Sequence, residues 1–336
     1  MKIGDFNLDT DVLVVAEVGN NHEGNFEVAK QLVRSAAECG VAAVKFQTFQ
    51  TRYFANPTDQ ARYDRLRSFE LSYPEFEQLQ QLAKSLGLLF ISTPLDIESA
   101  RFLGPLVDCY KIASGDNDFY PLIEVVCQTG KPLIISSGVS DLAQMKKTRR
   151  FVEEQWRDRQ PIDQLAILHC VSSYPVPSDQ ANLAAIPFLA RELGVMTGYS
   201  DHTIGIEACL AATALGAQII EKHFTLDKHY SDFRDHQLSA DPPEMKELVE
   251  QVKKVRSMLG RSEKRLQPCE EGMERLIRRS IVAAASLPKG HTLGPGDITW
   301  LRPGNGLAPA EASQILGRRL TRALTFGEAI RPADLD

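Results

Sequence analysis

The chain has 336 residues, 43% of them hydrophobic, with a formal net charge of -6 and a pI near 5.7, which is length enough for one large domain and a small one. This acidic balance excludes a general electrostatic attraction to nucleic acid or to an anionic membrane, so any anionic ligand has to be held by local cations. The six cysteines, Cys39, Cys109, Cys127, Cys170, Cys209 and Cys269, are scattered without a CxxC pair, the pattern of buried reduced thiols in a cytoplasmic protein. No basic-then-apolar leader opens the sequence. No apolar run approaches the roughly 20 residues needed to span a bilayer.

In chain order, residues 12–17 form a short valine-rich apolar run stopped at Gly19, as expected of a strand buried on both faces. Residues 27–39 then carry helical spacing and stop at Gly40. Residues 41–48 read as a second strand with polar residues only at its end, followed by a polar insertion at 51–70. A helix is predicted over 72–85, with Pro74 near its start and Gly87 past its end. Strands follow at 87–93, 107–114, 132–138, 164–170, 194–200 and 218–223, with helices placed through 122–129 and 206–215. Eight strand-then-helix units over about 260 residues predict a closed (β/α)8 TIM barrel. A doubly wound sheet is disfavoured by that count and by the absence of GxGxxG after the first strand. An amphipathic helix over 243–259 ends the barrel. The predicted boundaries are a barrel over 1–262, a linker over 263–276 and a small β-rich domain over 277–336, built of short strands and turns.

In such barrels the chemistry sits at the carboxyl ends of the strands. The polar residues there are Glu17, Lys45, Gln47, Thr93, Lys111, Ser114, Ser136, His169, Tyr174, Ser200, His202, Glu221 and His223. Lys45 and Lys111, with Gln47 and Ser114 beside them, suit a small anion bearing phosphate and carboxylate; a Schiff-base lysine is the alternative. His202 and His223 are ligands that a borderline divalent ion accepts, and Glu221 adds a harder oxygen. Glu221 and His223 stand two apart on one strand face, which also fits a hydrogen-bonded core pair. The Asp201-His202 neighbour favours the metal. His22 and His236 either join the site or are solvated, and for His22, His229 and His291 solvated positions are expected.

Seven motifs stand in order: Ala16-Glu17-Val18-Gly19-Asn20-Asn21-His22-Glu23-Gly24, Lys45-Phe46-Gln47-Thr48, Tyr110-Lys111-Ile112-Ala113-Ser114-Gly115, Ile135-Ser136-Ser137-Gly138, Tyr174-Pro175, Gly198-Tyr199-Ser200-Asp201-His202-Thr203 and Ile220-Glu221-Lys222-His223-Phe224. Together they resemble the sialic acid synthase family. The likeness continues through Arg302-Pro303-Gly304-Asn305-Gly306, in a segment similar to the antifreeze-protein-like SAF module. It covers nearly the whole chain. The sequence departs from the common pattern at Asp116, where many members carry glutamate, and at Ser172, where asparagine is often seen.

The resemblance implies condensation of phosphoenolpyruvate with the open-chain aldehyde of a 2-acetamido sugar, such as N-acetylmannosamine or its diacetamido analogue, giving a nine-carbon 2-keto acid and phosphate. It implies a divalent cofactor, Mn2+ or Mg2+, on His202 and His223. Lys45, Gln47, Thr93, Lys111, Ser114, Ser136 and Ser200 would then hold phosphoenolpyruvate. Glu17, Tyr174 and Asp235 would address the sugar or exchange protons, with Glu221 and Asp116 as further catalytic carboxylates. Arg302 would reach the acetamido group from the neighbouring subunit of a domain-swapped homodimer. The competing expectations are a metal-dependent barrel hydrolase or lyase using His202, Glu221 and His223, and a non-catalytic carbohydrate-binding protein.

Overall fold

The computed structural model describes residues 1–157 and 160–336. They form two compact units, Met1–Gly260 and Arg261–Asp336.

The first unit opens with an antiparallel hairpin, β1 (Lys2–Ile3) and β2 (Phe6–Asn7). The eight parallel strands that follow are β3 (Leu13–Gly19), β4 (Ala43–Thr48), β5 (Leu89–Pro94), β6 (Cys109–Ile112), β7 (Leu133–Ser136), β8 (Leu165–Cys170), β9 (Met196–Asp201) and β10 (Ile219–His223). They pair in sequence order, and β10 returns to β3, closing the expected barrel. Between strands run α1 (Phe26–Glu38), α2 (Thr51–Phe54), α3 (Gln60–Phe69), α4 (Tyr73–Ser85), α5 (Ile97–Leu103), α6 (Tyr120–Cys127), α7 (Leu142–Trp156), α8 (Ala185–Leu193) and α9 (Glu207–Ala214). After β10 come α10 (Arg234–Leu238) and α11 (Pro242–Leu259).

Local chemistry starts these helices. Asn25, Asp96, Asp141 and Asp241 each accept a backbone N–H of the first turn, so orphan donors are satisfied. A capping box between Ser72 and Glu75 starts α4. Valine-rich strands are buried on both faces because outward residues such as Val44, Phe46, Phe90 and Ile220 pack under the helices, while inward residues meet one another across the barrel.

The interior is divided by level. At the amino-terminal end, Leu13, Val15, Ala43, Ile91, Cys109, Ile134, Ala166, Leu168 and Ile219 form an apolar plug. Met1, Ile3 and Leu8 from the hairpin complete it, a feature absent from the expectation because a two-residue strand carries no periodicity. Crowding there excludes a side chain at residue 198, where a Cβ would sit 2.6 Å from Leu168 Cδ2 and closer still to the Ile219 carbonyl oxygen. The predicted polar insertion at 51–70 contains α2 and α3; exposed and strongly polar, α3 has no apolar stripe to betray it.

The second unit begins with exposed residues over 261–279, within which Met273–Ile277 forms a short helix, α12. Two antiparallel strands, β11 (Ser280–Ala283) and β12 (Ile298–Leu301), then surround a core of Ile281, Leu287, Leu293, Ile298, Leu320, Leu324 and Ile330. The short-strand texture predicted for this segment is what the chain adopts.

Ile3 is fully buried in the plug, so Ile3→Ala is expected to lower barrel stability by about 2–5 kcal/mol. Chemical denaturation followed by far-UV circular dichroism measures this, and an unshifted midpoint would show that the hairpin does not seal the barrel.

Candidate active site

Above the apolar plug the inward positions become polar and charged. Glu17 lies opposite Lys45 in the β3–β4 register, Gln47 opposite Thr93 between β4 and β5, and Glu221 opposite Ser200 between β10 and β9. Period-two alternation turns all of them inward. They line a cavity of about 290 Å³ together with Lys111, Ser114, Ser136, Cys170, Ser172, Tyr174, His202 and His223.

Its centre is an alternation of charges. Lys45 Nζ is 2.8 Å from Glu17 Oε2 and 3.6 Å from Glu221 Oε1, and Lys111 Nζ is 3.5 Å from Glu221 Oε2. Thr93 Oγ1 accepts from Lys45 at 3.3 Å, Ser200 Oγ donates to Glu221 at 2.9 Å, and Gln47 Nε2 donates to Glu17 at 3.4 Å. Burial disfavours the charge on Glu221, but Lys111, Lys45 and the Ser200 hydroxyl outweigh it and hold the carboxyl at about 2. Burial, with Glu221 nearby, raises Glu17 despite Lys45. Burial also lowers Lys111, against the pull of Glu221, whereas on Lys45 the two carboxylates prevail and raise it. One carboxylate and one lysine are thus firmly charged, while Glu17 and Lys111 are moved toward exchanging protons.

Beside this cluster stand the two histidines, ring centroids 5.4 Å apart, with the Tyr174 ring 4.2 Å from that of His202. His202 Nδ1 lies 2.9 Å from the Val171 carbonyl, which makes that nitrogen the donor and leaves Nε2 to bind a ligand. His223 Nδ1 is buried with no protein partner. Burial, reinforced by His202 and Lys45 and partly offset by Asp235, lowers this ring to about 3, so it is neutral, the form that coordinates metals. Burial opposes a proton on His202, but Cys170 and the Val171 carbonyl raise its pKa. Among the described residues no group of three or more His, Cys, Asp or Glu could close around an ion. The donor set therefore suits an ion with open positions.

Ser136 Oγ is also buried and unpartnered, and buried polar atoms normally find a partner. Gly138 lets the chain come close enough for its N–H to reach Ser114 Oγ at 3.1 Å; a Cβ there would lie 2.6 Å from Ser114 Oγ.

A second cavity of about 920 Å³ adjoins the first, sharing Gln47, Tyr174 and His223, and is lined further by Asn20, Glu23, Arg62, Arg65, Arg234 and Asp235. The Arg234 guanidinium sits 4.6 Å from the Tyr174 ring centre. Arg62 and Arg65 come from α3, within the segment read from sequence as a plain insertion; their only signal is i, i+3 spacing after Asp59, whose side chain caps the helix.

Glu17, Lys45, Gln47, Thr93, Lys111, Ser114, Ser136, Tyr174, Ser200, His202, Glu221 and His223 thus converge on one cavity, and Asp235 on its neighbour. Asp116 ends the 3-10 turn Ser114–Asp116, is half-buried, and lines neither cavity; burial and Asp118 raise its carboxyl to about 6. Arg302 is exposed in the second unit. His169 points outward, and its Nε2 donates to the Ala181 carbonyl at 2.8 Å, since the carbonyl can only accept.

His22, expected to be solvated, is buried. Its Nδ1 accepts the Gly24 N–H at 3.0 Å, because the loop after β3 folds inward under α3. His236 is buried as well, between Thr225 and Glu23.

Comparison with known proteins agrees with the motifs. The NeuB family model matches residues 32–264 and the SAF domain model matches 278–336. The chain is 39% identical to the N,N'-diacetyllegionaminic acid synthase of Legionella pneumophila over 94% of its own length and 92% of that protein. It is 32% identical to the N-acetylneuraminate-9-phosphate synthase of Mus musculus over 91% and 88%. The N-acetylneuraminic acid synthetase of Leptospira borgpetersenii, solved with citrate, superposes with a TM-score of 0.75 at 30% identity, over 81% of this chain and 94% of that one.

Burial lowers His22 from 6.5 to about 4, so the folded state keeps it neutral while the unfolded chain protonates it. Its contribution is complete above about pH 6.5 and is lost as pH falls toward 4, a change of up to about 3 kcal/mol. His22→Gln, which keeps an acceptor for Gly24, is expected to flatten the stability profile in that window; an unchanged profile by denaturant titration at stepped pH would refute the assignment.

Eight-strand closure, the strand-end residues and two family models covering most of the sequence establish that the chain belongs to the NeuB family and carries an SAF domain.

Proposed function

We propose that the protein condenses phosphoenolpyruvate with the open-chain aldehyde of a 2-acetamido sugar and water, forming a nine-carbon 2-keto sugar acid and releasing phosphate. The observation that carries this reading is the pair of adjoining cavities: a small one lined by two lysines and several hydroxyls, and a larger polar one reached past Gln47, Tyr174 and His223. The relatives named for legionaminic, neuraminic and pseudaminic acid synthesis support it.

In this reading Lys45, Lys111, Thr93, Ser114, Ser136 and Ser200 bind phosphoenolpyruvate, with Gln47 at the junction. Charge-assisted hydrogen bonds from the lysines to phosphate and carboxylate take over from their contacts with Glu17 and Glu221. A divalent ion on His202 and His223, Mn2+ or Mg2+, supplies Lewis-acid polarisation of the aldehyde oxygen when bound. Tyr174, against both Arg234 and His202, walls the junction where carbon 3 of phosphoenolpyruvate would meet the aldehyde carbon. The new bond forms there and the aldehyde oxygen becomes a hydroxyl, while carbon 2 takes the oxygen of water; the bond from carbon 2 to the phosphate oxygen then breaks, carbon 2 becomes the ketone, and the two protons of the water end on the new hydroxyl and on the departing phosphate. Glu17, whose carboxyl is raised, is placed to accept the proton of that water, and such help is worth roughly 10² to 10⁴ in rate.

Asp235 faces the sugar from the larger cavity. Asp116, with its raised carboxyl outside both cavities, is assigned an auxiliary proton-exchange role. Arg302 is assigned to the acetamido group, and a homodimer to the working unit, on the strength of the family resemblance.

Phosphate release in the presence of Mn2+ is expected to need both phosphoenolpyruvate and an acetamido sugar, across a panel of N-acetylmannosamine, its 6-phosphate and diacetamido analogues. Equal release without any sugar would sink the proposal. His223→Ala or excess chelator should abolish turnover. Lys111→Ala should raise KM for phosphoenolpyruvate about 10- to 100-fold, as loss of a hydrogen bond to a charged group predicts, while a change confined to the sugar KM would misplace the anion.

A further inference from the structure

Between the inward-facing residues of β9 and β10 lies a pair facing the other way. Ser200 and His202, and Glu221 and His223, line the small cavity. Asp201 and Lys222, the residues between them, point outward against α9 and stand directly opposite each other in the β9–β10 register. Lys222 Nζ is 2.7 Å from Asp201 Oδ2, and the two side chains are 1% and 0% exposed.

This pair is fully coordinated. Asp201 Oδ1 accepts the Tyr199 hydroxyl at 3.0 Å and the Thr203 N–H at 2.8 Å, and Oδ2 accepts the Cys209 thiol at 3.3 Å. Lys222 Nζ also donates to the Thr203 carbonyl at 2.5 Å. Both backbone polar groups of Thr203, the residue after His202, are therefore tied to the pair. The backbone is clamped on each side of His202, and the clamp is anchored one residue before His223.

Stability alone does not call for charges at this place. Removing two ions from water costs about as much as their attraction returns, and apolar replacements of buried pairs are often neutral or stabilising. An ion site, by contrast, needs its ligands held to within about 0.5 Å by surrounding contacts. We infer that Asp201 and Lys222 are a positioning pair that holds the His202 and His223 rings at the separation one divalent ion requires. This rests on the metal assignment made above.

The test uses the full-length protein with Mn2+ as probe, titrated by the electron paramagnetic resonance signal of the free ion, alongside kcat and KM for phosphoenolpyruvate and thermal melting. The double variant Asp201→Asn/Lys222→Met removes both charges and leaves no lone buried ion. It is expected to fold with a melting temperature near that of the wild type, to bind Mn2+ about 10- to 100-fold more weakly, as loss of outer support for metal ligands does elsewhere, and to lose kcat with KM for phosphoenolpyruvate little changed. Wild-type Mn2+ affinity and kcat in the folded double variant would overturn the inference. If that variant does not fold, Tyr199→Phe removes only one hydrogen bond to Asp201, and an unchanged Mn2+ affinity there would overturn it instead. If the wild type itself binds no Mn2+, the metal assignment fails, and the positioning role is then decided by kcat alone: retained kcat in the double variant refutes it.

Discussion

Closure of the parallel sheet is the constraint on which everything else depends. Once β10 pairs with β3, every second residue of every strand is committed to a small enclosed space, and what stands there decides both stability and chemistry. At the amino-terminal level those residues are leucine, isoleucine, valine, alanine and one cysteine, capped by the β1–β2 hairpin. At the carboxyl-terminal level they are two lysines, two glutamates, two histidines and several hydroxyls. The lower level supplies the apolar burial that stabilises the fold, and the upper level is held in place by it.

Charges so deeply buried persist only because they neutralise one another. Lys45 bridges Glu17 and Glu221, and Lys111 takes the other oxygen of Glu221, so the cluster of two cations and two anions carries no net charge. An entering trianion such as phosphoenolpyruvate therefore meets lysines already solvated by protein, and its binding is an exchange of partners. Hydroxyls stand among the lysines in this cavity, and those of Ser114, Ser136 and Thr93 add hydrogen-bonding capacity without adding charge.

Much of this was legible in the sequence. Eight short, largely apolar runs separated by helical stretches, with polar residues at their carboxyl ends, specify the barrel, because parallel strands are buried on both faces and their ends alone meet solvent. The same logic picks out Lys45, Lys111, Glu221 and His223. It failed where local pattern is weak. His22 has solvent-like neighbours in sequence yet is buried, because the loop after β3 is folded beneath α3, a long-range placement. Arg62 and Arg65 lie on a helix without an apolar stripe, so nothing local marks them as facing a cavity. Lys222, between Glu221 and His223, is turned to the other face by strand alternation, but nothing local names Asp201 as its partner.

By itself, then, the sequence determined the fold class, the strand ends where chemistry gathers and the identity of most groups there, since those follow from hydrophobic period and from residues read one strand at a time. Only the tertiary structure decided which groups touch. Barrel closure brings Glu17 of the first barrel strand beside His223 of the last, pairs each lysine with its carboxylate, and sets Asp201 opposite Lys222. Those contacts join residues about 20 to 200 positions apart, and no local period encodes which strands become neighbours when the sheet closes.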